Sequence, residues 1–184
     1  MNSRAQYETA AELTQTILSR LAIERRVHAE TAVSAAARMA GTLLLRSCHL
    51  PLTSFKPGSP LFFDRLNELG PKVLESVDKT LALLKVPIDT KKLNYDIAEA
   101  NQPLLNLLEV QSLLDPSFRV VLQKHGLSDE EGAHAAAVST AIIIEKTKNV
   151  LNPQIAYAIA VNGLVAACKT FPYDTQHQGA AAAL

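Results

Sequence analysis

The chain is predicted to be all-α, a single-domain bundle of about six to eight helices. Three observations carry this. Apolar residues recur at steps of three and four almost throughout, no stretch alternates with period two between turn residues, and three segments share stripes of small residues that suit close helix packing. The expected helix content is about 65 to 75%, against an ordinary one third.

Residues 5–47 contain no Pro and one Gly, with Leu13, Ile17 and Leu21 on one stripe and Val33, Ala36, Ala40 and Leu43 on another. They read as one very long helix, or as two joined near Arg26 to Glu30. Residues 49–59 carry Pro51, Pro57 and Gly58 and read as a loop. Ser59 before Pro60 suits a helix start, because Ser caps a free backbone donor and Pro fits the first helical position. Phe62, Leu66, Leu69, Val73, Val77, Leu81 and Leu84 hold helical register beyond it, so one helix kinked near Pro71 and ended by Pro87 is expected.

Asp89 or Thr90 is expected to cap a short helix bearing Leu93, Ile97 and Ala100, and Pro103 to open the next. The leucine-rich run from Leu104 to Leu114 covers more than one face, as in a helix surrounded by others. Asp115 with Pro116 reads as the start of a further short helix that Gly126 closes. Ser128 and Glu131 form a capping-box pattern for a helix running to about Val150, and Asn152 with Pro153 starts the last one. Residues 1–175 are thus expected to form the domain and 176–184 a mobile tail. The small-residue stripes are Ala32, Ala36 and Ala40; Ala133, Ala137 and Ala141; and Ala156, Ala160, Gly163 and Ala167.

In 184 residues, 48% are hydrophobic and 20% charged, which suits a globular chain rather than a disordered one. Eighteen basic residues balance eighteen acidic ones, so no overall field favours nucleic acid or an anionic membrane, and neither is expected as a partner. Cys48 and Cys168 are too few for a disulfide framework or a zinc site, and are expected to be free thiols in a reducing compartment. The polar start of the chain lacks a signal-type apolar core, and the apolar stretches 133–144 and 155–168 are shorter than a bilayer span. A cytoplasmic location is therefore expected.

Few patterns point to chemistry. Glu131 and His134 share a helix face, as one half of a di-iron motif would, but no second Glu-x-x-His accompanies them. Capping explains Glu131 more simply, so no metal and no cofactor are expected. Cys48 beside His49 is no dyad, since neighbouring helical residues point apart, and no phosphate-binding Gly loop or hydrolase motif occurs. Arg20, Arg25 and Arg26 read as a solvated helix face. The leading expectation is a non-enzymatic helical interaction or structural domain that forms a homodimer or binds a protein partner. The alternative is a ligand-binding protein or enzyme with a pocket between helices, lined by His134, Glu145, Tyr157 and Asn162. Of the clustered rings, Phe62 is expected in the core with Leu66, Phe55 under its own loop, and Phe63 outward as the partner-binding residue.

Overall fold

Six α-helices and two single 3₁₀ turns make up the regular structure of the computed structural model, which describes residues 3–50 and 55–173 and is 70% helical. The helices are α1 (Ser3–Leu21), α2 (Ala29–Ser47), α3 (Arg65–Leu83), α4 (Leu107–His125), α5 (Asp129–Thr147) and α6 (Pro153–Cys168). Among the described residues there is no strand, and the all-α bundle is as expected. The proposed tail, 176–184, lies outside the described residues.

The first long segment is two helices. Between α1 and α2 the backbones of Ile23 and Arg26 exchange hydrogen bonds of 2.9 and 2.8 Å around Glu24 and Arg25, both at positive φ. The chain reverses there, and α2 enters the middle of the bundle. Sixteen of its nineteen residues are buried, which makes α2 the surrounded helix. That corrects the expectation for the leucine-rich run. In α4 the buried residues form a single stripe from Val110 through Leu114 and Phe118 to Leu122, and Leu104 and Leu105 precede the helix altogether.

Small residues set the spacing around α2, as expected from their stripes. A Cβ on Gly41 would stand 2.6 Å from the Leu164 carbonyl oxygen and 2.8 Å from the Ala167 Cβ, so α2 and α6 approach almost backbone to backbone. Gly163 faces Ser34 from the other side of the same contact. Leu, Ile and Ala side chains from all six helices then meet in one hydrophobic cluster, with Phe118 its largest fully enclosed side chain.

Local capping chemistry explains most helix ends. Ser128 and Glu131 form the expected capping box, Asn152 caps α6 ahead of Pro153, and Gly126, at φ 65°, closes α4 in the left-handed conformation. Three starts differ from expectation. The helix after Pro103 begins at Leu107, because Asn106 and Glu109 make a second capping box. Pro116 does not start a helix but sits inside α4, which runs unbroken around it. The segment after Asp89 folds into the 3₁₀ turns Thr90–Lys92 and Glu99–Asn101 rather than a helix.

A fourth start, at Pro60, differs as well. It pairs with Thr170 in an isolated bridge, and α3 begins five residues later, at Arg65, continuing unbroken through Pro71. Gly58 N donates to the Phe171 carbonyl at 2.8 Å, Leu61 N to the Lys169 carbonyl at 2.8 Å, and Phe171 N to the Ser59 carbonyl at 2.9 Å. The backbone groups that a helix would have used are thus committed to the chain leaving α6.

A buried polar network joins α2, α4 and the last described residues. Arg46 pairs with Asp115, both nearly enclosed, and its second terminal nitrogen donates to the Tyr173 carbonyl at 2.9 Å. Gln111 donates to Thr42 Oγ1 at 2.9 Å, and Arg119 reaches from Asp115 towards Asp129 at the head of α5. Cys48 and Cys168 are free, as expected. Burial pushes the Cys168 thiol up to about 12 and raises that of Cys48 as well, so both stay protonated and weakly reactive at neutral pH.

Candidate functional site

The four polar residues expected to share a pocket are engaged in four separate places. His134 Nδ1 lies 2.8 Å from Ser76 Oγ, tying α5 to α3, and the Tyr157 hydroxyl donates to Asp78 Oδ1 at 2.6 Å, tying α6 to α3. Asn162 donates to the Tyr95 carbonyl at 2.8 Å, and Glu145 accepts from Lys148 at 2.9 Å within one helical turn. None of them lines the apolar grooves described below.

Serine beside histidine invites a catalytic reading, and Glu75 and Glu130 add nearby negative charge. Ser76 lies mid-helix, however, where neighbouring backbone N–H groups are used in helical hydrogen bonds and offer no oxyanion donors. The contact is an interhelical tether. Burial lowers the His134 pKa against the opposing pull of Glu130 and Glu75, so the ring is neutral in the fold at pH 7. A depressed folded pKa places the contribution above the unfolded value of about 6.5 and removes it as pH falls through the folded value. The midpoint of thermal unfolding should therefore drop between about pH 7.5 and 5, and by less in His134→Gln; equal drops in both proteins would show that His134 is not responsible.

Glu131 is committed to its cap. One carboxylate oxygen accepts from Ser128 N at 2.9 Å and from Ser128 Oγ at 2.8 Å, and these bonds lower its pKa. Among the described residues no group of three or more His, Cys, Asp or Glu is placed to hold a metal ion. No helix among them is long and apolar enough to cross a membrane.

The feature that stands out is a groove of about 480 Å³ between α3 and α6, with a floor of Leu66, Leu74, Val161, Leu164 and Val165 and with Cys168 at its base. Its rim is the segment 61–64, which follows the stretch 59–61 paired with 169–171. Exposure alternates along it, with Leu61 and Phe63 partly buried and Pro60, Phe62 and Asp64 outward. Phe62 is 89% exposed and Phe63 packs half-buried against the core, which reverses the expected roles of the two rings. The error was one of register: helical spacing from Pro60 put Phe62 with Leu66, but the helix has not begun at Phe62. Phe55 stacks on buried Phe171, with centroids 4.2 Å apart, and keeps its other face half exposed.

No protein-family model, curated protein or solved structure matches the chain. The reading of the site rests on its own chemistry. Asp64 and Lys169 lie on the groove, one acidic and one basic, next to the aromatic ring and an aliphatic floor. No sequence pattern announced this arrangement, since it depends on pairing between residues more than a hundred positions apart.

Proposed function

We propose that this protein is a helical interaction protein that associates with a second copy of itself through the α3–α6 groove. The observation that carries the reading is Phe62, a large apolar ring left 89% exposed on the rim of an aliphatic groove. A two-fold interface requires one surface to present both a projection and its receptor, because each copy meets the same patch of the other. Here the projection is Phe62 and the receptor is the groove beside it. Asp64 and Lys169 supply opposite charges on the same patch, so a two-fold arrangement sets the acid of one copy against the base of the other. Burial of Phe62 then removes from water a side chain that a lone chain exposes, and anchors of this kind dominate association energies.

Complementation between two variants tests this. Phe62→Ser removes the projection and keeps the groove, whereas Val165→Glu places a charge in the groove and keeps the ring. Each alone should elute as a monomer, while an equimolar mixture should recover an associated species through its one intact ring-in-groove contact. A mixture that stays monomeric, or single variants that associate as the parent does, would count against the proposal.

A further inference from the structure

A second apolar groove, of about 620 Å³, lies where the turn between α1 and α2 meets the connection into α4. Its volume falls within the roughly 300 to 1,000 Å³ of small-molecule sites. The geometry points to a site for a single-chain anionic amphiphile, a long-chain carboxylate whose aliphatic part lies in the groove and whose head meets Arg20 and Arg26.

The walls come from three separated parts of the chain. Val27 belongs to the turn, Leu104 and Leu105 to the connection, and Leu113 to α4. The connection is held against α2 by two bonds, Leu104 N to Thr31 Oγ1 at 2.9 Å and the Arg38 guanidinium to the Leu105 carbonyl. The groove is therefore formed before anything enters it. Two large aliphatic side chains still face water there, Ile23 at 75% exposure and Leu104 at 69%.

The turn places charge beside this apolar surface. Ile23 and Arg26 are the hydrogen-bonded pair that closes the turn, and residues directly opposite one another in such a pair project to the same side. Both line the groove, so the hairpin presents an aliphatic and a cationic side chain together. Holding them so requires Glu24 at φ 49° and Arg25 at φ 64°, a left-handed pair that favours Gly or Asn and that Glu and Arg adopt at a cost.

Charge then selects the ligand. Arg20 and Arg26 both reach the groove, and among the described residues neither takes part in an ion pair. His28 is occupied by Thr31 and Glu30, which leaves Glu24 as the acid on the lining against two guanidinium groups. A net positive mouth on an aliphatic groove matches one terminal negative charge on a hydrocarbon chain. A planar carboxylate also suits the fork of a guanidinium.

Titration calorimetry with dodecanoate, below its micelle concentration, tests the assignment against dodecanol of equal chain length. Dodecanoate should bind at a single site and dodecanol about tenfold more weakly, and the Arg20→Gln/Arg26→Gln variant should lose that preference. Shortening the acid from dodecanoate to decanoate should weaken binding about fourfold per methylene, and Leu104→Ser should weaken acid and alcohol alike. Both arginines are exposed and, among the described residues, make no ion pair, so the double variant should melt as the parent does. Equal affinity for acid and alcohol, an undiminished acid preference in the double variant, or binding to anionic phospholipid vesicles with none to free dodecanoate would overturn the assignment.

Discussion

Replacing Asp115 with Ala should cost about 3 to 5 kcal/mol of stability, because it leaves the Arg46 guanidinium enclosed without its counter-charge. Both side chains are almost wholly shielded from water, and Arg46 is also held by its bond to the Tyr173 carbonyl. The loss should appear as a lower urea midpoint with an unchanged slope, the signature of a stability change without a change in the surface exposed on unfolding. A double replacement, Arg46→Met with Asp115→Leu, should recover most of the loss, since a well-packed apolar pair avoids the desolvation of two ions. If Asp115→Ala unfolds at the parent's midpoint, the buried pair does not form in solution.

Gly41→Ala should be the most damaging single methyl group in the bundle, at about 3 kcal/mol. The new Cβ would lie 2.6 Å from a backbone oxygen of α6, and backbone cannot rotate out of the way as a side-chain end can. Helix propensity favours Ala over Gly by about 1 kcal/mol, which is too little to offset separating two helices. Gly132→Ala gives the internal comparison. Its Cβ would come 2.3 Å from Leu122 Cδ2 and 3.0 Å from its Cγ, a side chain that can change rotamer where backbone cannot, so the propensity gain should leave a smaller net loss than at Gly41. Thermal melts of the two variants should therefore separate widely, with Gly41→Ala the lower. Similar melts would mean that α2 and α6 lie further apart than their small residues imply.

The features legible in the sequence were those set by local chemistry. Ser128 with Glu131, Asn152 with Pro153, and Gly126 each mark a helix end through groups no more than three residues apart, and all three stand in the structure. The same signal at Asn106 and Glu109 starts α4 at Leu107, later than the position that Pro103 suggests. Pro116 misled for a related reason: proline disfavours a helix interior, but packing of Leu114 and Phe118 on either side of it holds α4 together.

What was not legible depends on distant partners. Arg46 and Asp115 are sixty-nine positions apart, and nothing near Asp115 distinguishes a buried ion from a cap. The roles of Phe62 and Phe63 turn on pairing of 59–61 with 169–171, which replaces a period of 3.6 by a period of two and turns each ring to the opposite side. Arg20 and Arg26 read as a solvated face because acids lie nearby and no aromatic side chains interleave them. Their significance appears once Leu104 and Leu113 arrive from another part of the chain. The partners of the expected pocket residues are distant in the same way: His134 meets Ser76 and Tyr157 meets Asp78, both on α3.

Sedimentation equilibrium of the unmodified protein across micromolar concentrations, run beside Phe62→Ser, tests the central claim most directly. The parent should show a reversible shift from one to two chain masses as concentration rises, and Phe62→Ser should remain at one chain mass and melt as the parent does at concentrations where the parent is a single chain. A parent that stays at one chain mass throughout, or a Phe62→Ser protein that associates as strongly as the parent, would contradict self-association through the α3–α6 groove.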